Sequence, residues 1–516
     1  MKHSFFGSIL PVLPMALGSS QLSFEQLCTS GLEGYAKTTN HGQFTITNVT
    51  YIPTGAISLS NLSPTNLTNT AAFCRVFASV PYPKDNHVSF EVWLPDKVNY
   101  NDRFISVGNG GFSSIIDEIS LTNAVNSGYA CAGGNTGHLD SDNNGGSGAP
   151  GVYLPFLHDK EQTEAWIHNS IAMFTSAAKE IVQKVYGGAP RYSYYQGCST
   201  GGAQGFALAQ FHPTLFDGIV AGSPGNWYSH LALSFLWNSV DNTSTSYLPQ
   251  ESLDLITQHV LDKCDTLDGV KDGVIENPLI CDYDISSLEC QNSHSSNCLT
   301  KQQIAQVKKI YQGPKNSHTG ASLYPGFSVG SEKAWIQQES VLADAFAIPI
   351  LQNRVFNNLS YDATTFDWNH DVKALDETVG ILIDEITPDL STFKAHGAKM
   401  VVTQAWADPY NAALWPIKHR EQLQQAMSGN IDDWFGLFMV PGGGHCGSNP
   451  AYPQVPGTWH SLDTLVSWVE HGQKPTQMLS TQPADGTNRT RKLCRWPMVA
   501  HYKGGNPDDW TSYSCQ

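Results

Sequence analysis

The chain has 516 residues, 41% hydrophobic and 15% charged, a balance that suits a globular protein and excludes a disordered one. Its 46 acidic and 29 basic residues leave a net charge of −17, which argues against nucleic acid and anionic membrane as partners. The cysteine count, 11, is odd, so at least one cysteine stays outside any set of internal bridges.

In chain order, the first segment reads as a signal peptide over 1–18. Lys2 and His3 give a basic start, Phe5 to Leu17 is mostly apolar, and Gly18, Ser19 and Ser20 are small enough for a peptidase. No later stretch approaches the ~20 apolar residues of a membrane span. An exported chain forms disulfides and is glycosylated at N-x-S/T sequons. These begin at Asn48, Asn66, Asn242, Asn358 and Asn488; a sixth, at Asn61, is followed by Pro64.

Residues 40–100 alternate at period two and read as β-hairpins, in "QFTITNVTYIP" and "HVSFEVWLP". From Phe104 the texture changes. "RFISVGNGG" is a short strand ending in glycines, and "AWIHNSIAMFTSAAKEIVQKVYG" is one helix that stops near Gly187. "YSYYQGCSTGG" is a strand running into a glycine turn, "AQGFALAQFHP" a helix ended by Pro213, and "FDGIVAGSP" the next strand. Strands alternating with helices predict an α/β sheet. The pattern breaks from about Trp227 to Lys394 and returns with "KMVVTQAWADP", "FGLFMVPGGGHC" and a last helix, "SLDTLVSWVEHG". Residues 19–226 and 395–516 therefore form an α/β core. Residues 227–394 are an insertion too long for one structureless loop, placed to lie over the carboxyl ends of the strands as a lid.

Gly197-Cys198-Ser199-Thr200-Gly201 fits G-x-S-x-G between a strand and a helix. Such a turn needs small neighbours, which Gly197, Gly201 and Gly202 supply. Serine attacks only when a base removes its proton, and the partners should follow in the order acid, then histidine, each after a strand. Asp408 after "KMVVTQAWA" and His445 after "FGLFMVPGGG" meet both conditions, which makes Ser199 the nucleophile, His445 the base and Asp408 its orienting acid. His212, His419 and His460 lie on or beside helices and read as structural. Cys198 precedes the serine and Cys446 follows the histidine, so contact between Ser199 and His445 brings the two thiols together to bridge. The oxyanion of a tetrahedral intermediate needs two backbone N–H donors. Thr200, next to the nucleophile, is one; the loop Gly108-Asn109-Gly110-Gly111 is the source of the other.

"CDTLDGVKDGVIENP" points to a hard cation. Asp265, Asp268 and Asp272 cluster there among turn-forming glycines. The loop is not an EF-hand, because Leu267, Gly269 and Val270 stand where that motif needs two ligands and a glycine. Glu276 falls at the position of the EF-hand's bidentate glutamate but is not counted as a ligand.

Together "GCSTGG", "FDGIVAGSPG", "ADP" and "GGGHCG", with a cysteine beside both Ser199 and His445, resemble the fungal tannase and feruloyl esterase family. The resemblance runs from about Cys28 to Cys515. It implies an α/β-hydrolase fold with an inserted, calcium-bearing lid domain, the triad Ser199, Asp408 and His445, a Cys198–Cys446 bridge, and oxyanion donors at Gly111 and Thr200. It implies a structural Ca2+ on Asp265, Asp268 and Asp272 and the carbonyls of Val270 and Val274. The further pairs that go with it are Cys28–Cys74, Cys264–Cys281, Cys290–Cys298 and Cys494–Cys515, which leaves Cys131 over. His138, in "GGNTGH", is a packing or hydrogen-bonding residue. The implied activity is hydrolysis of aromatic-acid esters, with hydroxycinnamoyl esters of plant cell-wall polysaccharide ahead of galloyl esters because the chain and its lid are compact. A non-catalytic carbohydrate-binding protein on the same fold is the contrasting reading, against which the full triad stands. The acid pocket is expected between lid and core.

Overall fold

The computed structural model describes residues 1, 23–57, 67–291, 297–339 and 341–516. Beyond Met1, the expected signal peptide lies outside the described residues, and so does Asn66. The other four sequon asparagines, Asn48, Asn242, Asn358 and Asn488, are exposed.

Ten strands form one sheet: β1 (Ala36–Thr39), β2 (Gly42–Ile52), β3 (Phe73–Tyr82), β4 (Asn86–Pro95), β5 (Arg103–Val107), β6 (Ala130–Gly134), β7 (Tyr192–Cys198), β8 (Gly218–Gly222), β9 (Lys399–Ala405) and β10 (Phe435–Val440). Their order is β1-β2-β3-β4-β6-β5-β7-β8-β9-β10. The first four are antiparallel neighbours, β4 meets β6 antiparallel, and every pairing from β6 to β10 is parallel. The parallel strands are short apolar runs because both faces are covered. Tyr195, Ile219, Ala221, Met400 and Val402 pack on one side with helices α2 (Ser170–Tyr186), α3 (Thr200–Phe211) and α4 (Leu414–Ala426). Tyr194, Val220 and Val401 pack on the other with α1 (Glu118–Asn126) and α5 (Ser461–His471).

The helix expected from Ala165 onward differs at its start. Residues Ala165–Asn169 form a π turn before α2, which ends at Gly187 in a left-handed conformation (φ 85°). A single wider turn leaves the apolar spacing almost intact, so periodicity does not show it.

The chain leaves the sheet after β8 and rejoins it in β9, the adjacent strand. The two ends of the excursion are laced together. Glu385 N–H donates to Asn226 O at 2.7 Å, Asn226 Nδ2 donates to Glu385 O at 2.9 Å, and Ser229 N–H donates to Asp384 Oδ1 at 2.9 Å. Apolar residues of this segment, such as Ile256, Val307 and Ile383, share one cluster with Leu154, Phe156, Trp166 and Trp415 outside it. Among the described residues no helix is long and apolar enough to cross a membrane.

Candidate active site

Ser199 joins β7 to α3 with φ 63° and ψ −120°, a conformation L-residues rarely adopt. Its N–H donates to Gly222 O at 2.9 Å, and its carbonyl accepts the Ala203 N–H at 3.0 Å. The bend is possible because its neighbours lack side chains. A Cβ on Gly202 would stand 2.4 Å from Gly222 O, and one on Gly197 2.4 Å from Gly201 O.

His445 sits in the loop after β10. Its Nδ1 lies 3.0 and 2.9 Å from the two carboxylate oxygens of Asp408. With Nδ1–H donating there, Nε2 is left free to accept a proton. Asp408 is buried and also accepts the N–H groups of Tyr410 at 2.8 Å and Asn411 at 3.1 Å and the Gln404 amide at 3.2 Å. Burial pushes its pKa up, but the His445 charge and these hydrogen bonds together hold it below the ordinary value. The Tyr410 ring stacks on His445 at 4.3 Å and keeps the imidazole in plane.

Ser199 and His445 border one cleft of about 720 Å³. The Cys198–Cys446 disulfide borders it too, closing a 248-residue separation with the Cα atoms 5.8 Å apart. Gly110 and Gly111 border it as well. Thr200 is the first residue of α3, so its N–H has no acceptor within the helix. The glycine loop is clamped to α3. Gln204 accepts the Asn109 N–H at 3.0 Å and donates to Trp166 O at 2.8 Å, while the Tyr195 hydroxyl donates to Gly201 O at 2.8 Å. Of residues 227–394, Phe346 alone among those described borders the cleft. The remaining lining of the cleft comes from the core, and Phe112, Trp166 and Tyr228 pack together.

The sequence profile described as "Tannase and feruloyl esterase" matches residues 74–516. The chain belongs to the tannase and feruloyl esterase family. It is a carboxylic ester hydrolase of that family. It is 29% identical to a probable feruloyl esterase B-1 of Aspergillus flavus over 98% of this chain and 99% of the relative. It is 30% identical to a probable feruloyl esterase B-2 of Aspergillus fumigatus, again over 98% and 99%. Among solved structures, feruloyl esterase B from Aspergillus oryzae superposes with a TM-score of 0.84 at 28% identity, covering 96% of this chain and all of that one. Tannin acyl hydrolase from Aspergillus niger shares the fold, with a TM-score of 0.77 at 21% identity over 96% of each chain.

The other cysteine pairs of this family member are Cys28–Cys74, Cys264–Cys281, Cys290–Cys298 and Cys494–Cys515, all disulfides in the structure. Cys131 is a free thiol buried in β6. His138 hydrogen-bonds Thr136 at 3.0 Å and Phe112 O at 2.9 Å and stacks on Phe156, away from the reacting groups.

In the acidic loop, Asp265 accepts N–H groups from Asp272 and Gly273, and Asp268 accepts that of Val270. Arg491 enters from the strand Arg491–Cys494. Its buried guanidinium donates to Glu276 at 2.8 Å, pairs with Asp272, and lies 3.4 Å from Asp268. Among the described residues no group of three or more His, Cys, Asp or Glu side chains closes to metal-holding spacing. Two observations nevertheless fit a further cation. Asp272 Oδ1 is buried with no hydrogen-bond partner, and burial pushes Asp268 up to about 7 despite the nearby Arg491 charge. Sequence reasoning missed Arg491, the Asn109–Gln204 clamp and the Tyr410 stack. Only Tyr410, two residues beyond Asp408, lay near enough in sequence to a recognised residue to be found.

Proposed function

We propose that this enzyme hydrolyses hydroxycinnamoyl esters of plant cell-wall polysaccharides through an acyl-enzyme on Ser199. The observation that carries the reading is the cleft itself. It places Ser199 and His445 beside apolar walls that include Ile115, Ile119, Val220, Phe346 and Trp459, a lining suited to a planar aromatic acid. Near-complete overlap with feruloyl esterase B from Aspergillus oryzae supports it.

In the reaction, Ser199 Oγ attacks the ester carbonyl while His445 Nε2 takes the hydroxyl proton. Charge developing on the carbonyl oxygen meets the N–H groups of Gly111 and Thr200. Collapse of the intermediate breaks the ester bond, and His445 returns its proton to the departing alcohol. Water, deprotonated by the same histidine, then releases the acid and restores Ser199. Asp408 stays ionised and stabilises the imidazolium throughout.

Kinetics on methyl ferulate, methyl p-coumarate and methyl gallate test this reading. Turnover of the first two ahead of gallate is expected, with Ser199→Ala inactive on all. A preference for gallate assigns the enzyme to galloyl esters instead, and no turnover of any ester by folded protein removes the reading.

The same reading includes export, glycosylation at exposed sequons, and residues 227–394 as a lid. It also includes a structural Ca2+ on Asp265, Asp268 and Asp272 with the Val270 and Val274 carbonyls. Support for the ion is electrostatic, since three buried or half-buried carboxylates, Asp268, Asp272 and Glu276, share the Arg491 guanidinium, while Asp265 beside them is held by backbone N–H groups. The ion would supply charge balance and no reaction step. After stripping with chelator, millimolar Ca2+ should raise the melting temperature by several degrees; an unchanged melt overturns the site.

A further inference from the structure

Gln196 has an environment that the reaction does not explain. It belongs to β7, which is paired with β5 on one side and β8 on the other. Side chains of such interior parallel strands are covered on both faces. On the face toward α1 and α5, β7 presents Tyr194, Gln196 and Cys198 in alternation. Tyr194 is fully buried, with its hydroxyl donating to Glu470 at 2.7 Å, and Cys198 is held in its disulfide. Gln196, between them, is exposed. Among the described residues its carboxamide has no hydrogen-bond partner.

The exposure has a geometric cause. The cleft at Ser199 descends this face of the sheet and meets a second hollow of about 130 Å³ walled by Ile105, Val107, Tyr129 and Leu462 together with the polar Asn123 and Ser127. Gln196 and Ser120 border both spaces. The path from Ser199 thus runs past Ile119 and Val220, and Gln196 and Ser120 stand where the two spaces meet. Gln196 lies three residues before Ser199, about 10 Å along the strand. A flat acyl group bonded to Ser199 and lying down this path reaches the amide only if it is long. The vinylene spacer of a hydroxycinnamoyl group carries the ring outward, whereas a galloyl ring attached directly to its carbonyl stops short.

We propose that Gln196 is a specificity-determining residue whose carboxamide hydrogen-bonds the phenolic hydroxyl at the far end of a hydroxycinnamoyl group. This assignment rests on the acyl-group reading above. The test compares kcat/KM for methyl 4-hydroxycinnamate and methyl cinnamate, which differ only in that hydroxyl, in the wild type, Gln196→Leu and Gln196→Met. The wild-type ratio is expected to favour the hydroxylated ester about tenfold. Both variants should bring the ratio close to one, with the change carried by KM. A ratio that survives in a folded variant overturns the assignment, and so does an equal loss on both esters, which marks a residue that merely supports the fold. A wild-type ratio at or below one overturns it without any variant. If the wild type turns over gallate but neither cinnamate, the acyl-group reading falls and Gln196 with it; a failed ratio with good turnover of both cinnamates leaves that reading standing.

Discussion

Asp408 illustrates how a single side chain is tuned by its neighbours. Removed from water, it would ordinarily hold its proton, yet three N–H donors and the His445 imidazole keep it ionised. Its pKa lies below the ordinary 3.8, so the stability it contributes is fully present above that pH and is lost as the pH falls through its depressed value. Asp408→Asn keeps the shape but favours the wrong imidazole tautomer. It should lower kcat on methyl ferulate by about 10³–10⁴-fold with a smaller change in KM, measured near neutral pH beside an unchanged melting curve. Ser199, Asp408 and His445, the proposed triad, could be picked out in the sequence because each stands just after a strand, where local texture marks a loop. Gln204 and Gln196 could not, because one acts by clamping a loop 95 residues away and the other by lying where two helices leave the sheet uncovered.

At the scale of elements, two features join parts distant in sequence. The first is the Cys198–Cys446 bridge between the turn of Ser199 and the loop of His445. Replacing both cysteines by alanine should cost about 2–5 kcal/mol in chemical denaturation, and kcat/KM should fall because the two loops lose their mutual register. The second is the neck of the insertion, where Asn226 and Ser229 meet Asp384 and Glu385. Burial, aided by the Asp384 charge, pushes Glu385 from 4.5 up to about 8. The folded state therefore binds this proton more tightly than the unfolded chain. Stability is greatest below pH 4.5 as far as this group is concerned, and is lost as pH rises from there toward 8. Urea melts of wild type and Glu385→Gln should nearly coincide at pH 5 and separate by about 1 kcal/mol or more at pH 8, with the variant more stable. The strands of the parallel sheet and the two helices on either side of β7 could be read from periodicity. The π turn before α2 could not, since it preserves the apolar spacing on which such reading depends.

Across the whole molecule, Arg491 fastens the acidic loop to the C-terminal strands. It also stacks on Tyr513, at 5.6 Å from the ring centre. No spacing rule could pair it with Asp272, 219 residues earlier. Removing it leaves buried carboxylates without their guanidinium. Arg491→Met should destabilise the fold by roughly 3–5 kcal/mol, read from denaturant midpoints. The loss should grow after chelation if a calcium ion shares the same charge. Family membership was legible because a cysteine beside serine and another beside histidine make an uncommon pair. The lining of the cleft was not, because it gathers Ile115, Val220, Phe346 and Trp459 from segments far apart in the chain.

The 248-residue span of the Cys198–Cys446 bridge also sets a schedule for the ribosome. The Cys198 thiol emerges early and cannot meet Cys446 while residues 227–394 are translated. During that interval the upstream thiol of Cys131 is a competing partner. Its burial in β6 withdraws it from exchange as soon as the sheet forms. The loop bearing His445, the proposed base, is made only in the last quarter of synthesis, so the bridge cannot close before then.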